Sequence, residues 1–125
     1  MIATVRAILA ARMATWTTTP ICWPNTPPLS TLNAPWVRFS VIPSGRTWPM
    51  TGTKRILEGE IVVQVFAPSG SGDGTVATLA DSIGTLFSKY GASGVQCDEP
   101  NAPSVIGDMD GWYQINAVIP WRAEL

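Results

Sequence analysis

The sequence predicts an α+β fold: a mainly antiparallel sheet of four to five strands with two helices packed on one face. Three patterns carry that prediction. From Ile56 onward the chain alternates, with Leu57, Gly59, Ile61, Val63 and Val65 on one side and Glu58, Glu60, Val62 and Gln64 on the other. Residues 112–121 alternate in the same way, Tyr113, Ile115, Ala117, Ile119 and Trp121 against Trp112, Gln114, Asn116 and Val118. Between these segments Val76, Leu79, Ala80, Ile83, Leu86, Phe87 and Tyr90 recur at spacings of three and four, the apolar stripe of a helix.

The elements follow in chain order. A first helix spans Ile2 to Met13, with a narrow apolar stripe of Ile2, Val5, Ile8, Leu9 and Met13 flanked by alanines. Prolines at 20, 24, 27, 28 and 35 then rule out helix and disfavour a long central strand. That stretch reads as a stiff connector holding a short edge strand at Ile21 to Trp23. A strand follows at Trp36 to Ile42, with Val37, Phe39 and Val41 on one face and Trp36, Arg38, Ser40 and Ile42 on the other. A connection of about a dozen residues, Ser44 to Arg55, joins it to the long strand from Ile56, which is long for a hairpin. SGSGDG at 69–74 leads into the second helix, with Asp73 or Thr75 as its N-cap. Gly91 and Gly94 cap and turn the chain, Val95 to Asp98 and Val105–Ile106 are short strands, and DMDG at 108–111 turns into the last strand.

The 125 residues form one domain, 1–125, with room for a single core. Charged residues are only 14% of the chain, against about 25% in ordinary domains. So little charge fits a subunit that hides surface against neighbours. The net charge of −1 gives no global attraction to nucleic acid or anionic membrane. The first sixteen residues lack the uninterrupted apolar run of a signal peptide, because Arg6 and Arg12 break it, and no stretch approaches a membrane span. A soluble chain made in the cytosol is expected. Cys22 and Cys97 stand far apart and read as small buried apolar groups, with a disulfide between them left open.

Catalytic chemistry finds little support. There is no histidine, which removes the commonest general base and metal ligand, and with it any Ser–His or Cys–His arrangement. SGSGDG lies between a strand and a helix, as a phosphate cradle does, but no lysine follows Gly74, and Thr75 stands where a dinucleotide fingerprint needs its third glycine. DMDG lacks the further ligands and flanking helices of a calcium loop. Glu58 and Glu60 share a strand face, where Arg38 on the preceding strand is a candidate partner. No enzyme activity, cofactor or metal is expected. The six tryptophans are many for this length. Trp36 and Trp112 fall on outer strand faces, either as a second small core under the proline-rich segment or as a subunit contact.

Several runs taken together carry a resemblance: PICWPNTPP, PWVRFSVIPSG, GEIVVQVFAPSGSGDGTVATLADSIGTLF and WYQINAVIPWRA. In this order they resemble the tail terminator, or tail completion, proteins of long-tailed bacteriophages, over nearly the whole chain. The resemblance implies a subunit of a hexameric ring. That ring would sit in the virion on the head-proximal end of the tail tube, stop tube polymerisation and present the surface that joins the neck. Its partners would be further copies of itself, the tail tube protein and a neck or head–tail connector protein, with DNA passing through the lumen and assembly in the host cytoplasm. No residue-level motif of the family carries over. From the residues themselves, Arg46, Trp48, Met50, Lys54 and Arg55 of the long connection are the expected protein contacts, and Glu58, Glu60 and Gln64 the expected lumen-facing set. Other readings are another phage neck or connector protein, a non-phage binding module gripping a ligand with its tryptophans, and an anion-binding enzyme using SGSGDG.

Overall fold

The computed structural model describes residues 2–27, 34–47, 56–70, 73–109 and 111–124; for Ile2, Arg46, Thr47, Asp73 and Met109 it describes the backbone. Helix α1 spans Ile2–Met13 and α2 spans Asp73–Phe87. The strands are β1 (Ile21–Cys22), β2 (Trp36–Thr47), β3 (Ile56–Pro68), β4 (Gly91–Ala92), β5 (Val95–Cys97), β6 (Ser104–Met109) and β7 (Trp112–Glu124). They form one sheet in the order β1-β2-β3-β7-β5-β4, with β6 also paired to β7.

The two alternating segments lie side by side at the centre of this sheet. β3 and β7 pair antiparallel along their whole length, from Ile56 opposite Glu124 to Pro68 opposite Trp112. That register puts Ile61, Val63 and Val65 across from Ile119, Ala117 and Ile115, and all six are buried. Period-two alternation thus becomes one apolar sheet face. Both helices cover it: Val5, Leu9 and Met13 of α1 and Val76, Leu79, Ala80, Ile83 and Phe87 of α2 join the same core. Each such aliphatic or aromatic side chain contributes about 1.5–3 kcal/mol by leaving water. Phe39 links the layers, stacked on Phe87 at 6.3 Å and edge-on to Trp23 at 5.7 Å.

The two helices are tied by charge as well as packing. No basic residue occupies the last turn of α2. Arg12 of α1 supplies one: its Nε donates to the Leu86 carbonyl at 2.9 Å, and its guanidinium lies 4.6 Å over Tyr90. A cation at a helix C-terminus satisfies an orphan carbonyl and opposes the negative end of the dipole.

Four expectations need correction. The α+β class with both helices on one face holds, but the sheet has seven strands and is mixed. β1 pairs parallel to β2, Ile21 opposite Val37. Residues 23–35 between them supply the dozen or more that a parallel connection needs. β4 escaped notice because it is two residues folded back on β5 by Ser93 and Gly94, both at positive φ. Secondly, β2 does not end at Ile42. A bulge between Pro43 and Gly45 absorbs the turn-like sequence, and pairing continues to Thr47 opposite Ile56. Thirdly, α2 opens at Asp73, so Asp73 is its first helical residue and Thr75 lies inside the first turn; neither is the N-cap. Lastly, β7 runs on past Trp121 to Glu124.

Cys22 and Cys97 are both buried and both free, so they are not a disulfide. Burial and the neighbouring Asp98 carboxylate push the Cys97 thiol up to about 11, against slight opposition from Arg12. It therefore stays protonated as a small apolar group.

Candidate functional site

The sheet face opposite the helices has two ends that differ. At one end Trp36 stacks on Phe66 (centroids 4.3 Å apart, planes 15° apart) and meets Trp112 edge-on at 6.1 Å. The Arg38 guanidinium lies 5.6 Å from the Trp36 ring and 5.9 Å from the Phe66 ring. Trp36 is only 2% exposed within the single chain. On this strand face it is the anchor of a second small core, as one of the two sequence readings has it. Residues 28–33 of the proline-rich segment lie outside the described residues.

The other end of the face is acidic. Glu58 and Glu60 are exposed there, while Gln64, on the same strand face, is half-buried beside the aromatic end. Phe66 and Glu58 lie eight residues apart on one strand, roughly 27 Å at the usual rise. Arg38 is not the partner of either glutamate. Register places it opposite Gln64, whose Oε1 accepts from Arg38 Nη1 at 3.5 Å, while Glu60 faces Ile42 and Glu58 faces Gly45 and Arg122. A shallow hollow of about 280 Å³ opens here, lined by Ser44, Glu58, Glu60, Asp98 and Arg122. Opposite Phe66 and Gln64, Gln114 Nε2 donates to Asn116 Oδ1 at 2.8 Å. Away from its aromatic end and Ile42 the face carries polar groups hydrogen-bonded to one another, with Glu58, Glu60 and Glu124 against Arg38 and Arg122 among its described charges.

Of the expected contact residues, Trp48, Met50, Lys54 and Arg55 lie outside the described residues. The backbone of Arg46 is in β2, opposite Leu57, rather than in a loop.

The two glycine motifs prove to meet. The Ser69 amide donates to the Gly111 carbonyl at 2.9 Å, and the Ser69 hydroxyl donates to Asp108 Oδ1 at 2.8 Å. SGSGDG and DMDG thus lock the end of β3 to the β6–β7 hairpin, where Met109 pairs with Trp112 and Gly111 takes φ +83° in the turn. The serine and aspartate that suggested anion or cation chemistry are each other's partners. Among the described residues no cluster of three or more His, Cys, Asp or Glu side chains suits a metal ion. No helix of the described residues is long and apolar enough to cross a membrane.

Sequence reasoning passed over Ile42, Val105 and Ile106, the large hydrophobic side chains left exposed among the described residues. Their signal was available only in part. Alternation places Ile42 on the outer face, but nothing in the pattern says that the face is uncovered there.

A solved structure is similar over the whole fold, with a TM-score of 0.70 and 20% identity, covering 100% of this chain and 96% of its own. At that identity the likeness concerns the fold. No curated protein matches. The family model described as "Phage tail terminator protein" matches residues 4–121. That family is one of structural virion proteins of the phage tail. The match runs from the first turn of α1 to Trp121 of β7, and the chain belongs to the phage tail terminator protein family.

Proposed function

We propose that this chain assembles into a closed ring, a hexamer, on the head-proximal end of the tail tube. There it stops tube polymerisation and offers the surface on which the neck or head–tail connector is joined. The observation that carries this is family membership across nearly the whole chain. Low charge and the polar groups bonded to one another on this sheet face agree with it. Ring subunits associate head to tail through two different surfaces, closed by rotation. In this reading Gln64 and, beyond it on the same strand face, the acidic end with Glu58 and Glu60 look into the lumen, where negative charge keeps passing DNA from adhering. The end of β2, with Arg46, and the connection from β2 to β3, with Trp48, Met50, Lys54 and Arg55, reach the neighbouring subunit or the tube.

One experiment with three arms tests this. Wild-type protein added to purified tail tubes is expected to cap one end only in negative-stain images, and to arrest further growth. A tube decorated at both ends or along its side overturns the reading. With Arg46→Ala and Trp48→Ala together, capping is expected to weaken by about tenfold or more; unchanged capping removes the loop from the contact. With Glu58→Lys and Glu60→Lys together, capping is expected to persist while the ring retains DNA in a salt-dependent manner. Failure to retain DNA removes these residues from the lumen.

A further inference from the structure

Ile42 (49% exposed) lies on β2, which β1 covers only in part, and Val105 (64%) and Ile106 (48%) lie on β6, which pairs with β7. β1 covers β2 only at Val37 and Arg38. It stops there for a chemical reason: the next residue of its parity after Cys22 is Pro24, which has no N–H to give the ladder. Beyond Arg38, no described strand pairs with this side of β2. β6 pairs with β7 alone. Each open stretch is short, since a bulge interrupts β2 between Pro43 and Gly45 and β6 between Val105 and Gly107. Both stretches carry the same tripeptide, Ser40-Val41-Ile42 and Ser104-Val105-Ile106. Neither bears the lysine or glutamate that guards a sheet edge meant to stay alone.

The backbone at both edges is aimed outward at matching places. Val37 N–H donates away from β3, to the Pro20 carbonyl at 3.1 Å. In an antiparallel strand, residues of the same parity do likewise, so Val41 directs its N–H and C=O out of the sheet. On β7 the carbonyls of Val118 and Pro120 accept on the side away from β3, and Asn116 shares their parity. Ser104, opposite Asn116, therefore bonds to β7, and Val105 directs its N–H and C=O outward.

We infer that neighbouring subunits join by strand addition: the β2 edge of one copy pairs antiparallel with the β6 edge of the next, Val41 opposite Val105. This rests on the ring reading and gives it its contact. Three features select a second copy as the partner. Strand direction is the first. β2 to β3, β3 to β7 and β7 to β6 are each antiparallel, so β6 runs opposite to β2. Rotation about an axis along the strands preserves direction, so the next copy presents β6 in the antiparallel sense. The pleat is the second. Val41 and Val105 both lie on the helix-covered side, on the same face as their partners Ile61 and Ile115, while Ile42 meets Ser104 on the opposite face. The third is space. Beside Val41 a groove of about 260 Å³ is lined mainly by Ala10, Trp23, Pro24, Phe39 and Val41, with Arg6 and Ser40 also in its lining, on the side that Val105 would enter. A ring so closed carries one continuous sheet, with the face opposite the helices unbroken from subunit to subunit.

Ile42 and Ser104 would form a non-hydrogen-bonded pair about 4.5 Å apart at Cα, within disulfide range. Mixing the Ile42→Cys and Ser104→Cys single variants under mild oxidation is expected to yield a disulfide-linked heterodimer, while each alone stays uncrosslinked. The double variant is expected to give a ladder of linked species ending at the ring. A ring seen by native mass spectrometry without these crosslinks overturns the strand pairing and leaves the ring standing. Self-crosslinking of Ile42→Cys alone overturns it in favour of a two-fold contact. If neither free protein nor tube-bound protein forms a ring, both readings fall. As a second measurement, Val105→Lys is expected to raise the concentration needed for ring assembly by about tenfold or more, with the melting temperature of the monomer unchanged. Unaltered assembly would count against the pairing.

Discussion

Gly59→Ala is expected to destabilise the chain by about 2–4 kcal/mol and lower its Tm by roughly 10 °C. The causes are the Ile42 carbonyl oxygen and the indole of Trp121. Gly59 and Trp121 are paired across β3 and β7, and the ring lies over the glycine where a side chain would stand. A Cβ at Gly59 would fall 2.5 Å from Trp121 Cζ2 and 2.8 Å from Cε2, and would also overlap the Ile42 carbonyl oxygen. Neither obstacle gives way easily. Trp121 is fully buried and among the largest such side chains, and Ile42 is held in the β2–β3 ladder. The substitution therefore spreads the central strands or forces the indole off its rotamer. Gly74→Ala is the contrasting control, since a Cβ there meets nothing within 4 Å and the site is in the first turn of α2. It is expected to be neutral or to stabilise by about 0.5–1 kcal/mol. Urea unfolding midpoints compare the two. If Trp121 is the main obstacle, Gly59→Ala combined with Trp121→Leu costs less than the two changes summed, by about 1 kcal/mol or more. Strict additivity, or a Gly59→Ala variant as stable as wild type, would show that the packing is looser than these distances say.

How far the fold could be read from the sequence depends on which physical signal each element carries. β3, β7 and α2 were legible because burial on one side imposes a period, and a period survives any uncertainty about neighbours. Leu57 to Val65 and Tyr113 to Trp121 lie on the faces that alternation assigns. Pro43-Ser44-Gly45 misled because proline and glycine are shared by turns and by bulges, and only the partner strand decides between them. Direction was equally hidden. Nothing in Ile21-Cys22 states that it runs parallel to β2; only its register against Val37 and Arg38 shows it. The partner of Arg38 was missed for a reason of register. Strand faces are set by parity, but which of Glu58, Glu60 and Gln64 stands opposite depends on an offset of two that alternation cannot fix. The edges were least legible, because an edge is defined by what is absent beside it. Ser40-Val41-Ile42 and Ser104-Val105-Ile106 are ordinary strand sequence until the sheet order places them at its borders.

Trp36→Ala is expected to cost about 3–5 kcal/mol, the usual range for removing a large buried aromatic. The sequence left Trp36 as either core or contact, and the distinction has a measurable consequence. A contact residue is exposed in the free subunit, so its loss weakens assembly and leaves the monomer's Tm alone. Trp36 is buried within its own chain, stacked on Phe66, against Trp112 and under Arg38. Its loss should therefore lower the Tm of the monomer, by roughly 10–20 °C, before any effect on assembly is reached. The same site offers a sharper comparison. Trp36 Nε1 is buried with no hydrogen-bond partner among the described residues. An unsatisfied buried donor costs about 1–3 kcal/mol, so the indole gives back part of what its area contributes. Trp36→Phe keeps a ring on Phe66 and removes the donor, and is expected to cost less than about 1.5 kcal/mol, far less than alanine. Thermal unfolding of the three proteins under conditions that hold them monomeric decides the matter. A monomer whose Tm is unmoved by Trp36→Ala, together with loss of tube capping, would move this tryptophan from the fold to the interface. A phenylalanine variant as damaged as the alanine one would show that the Nε1–H has a partner after all.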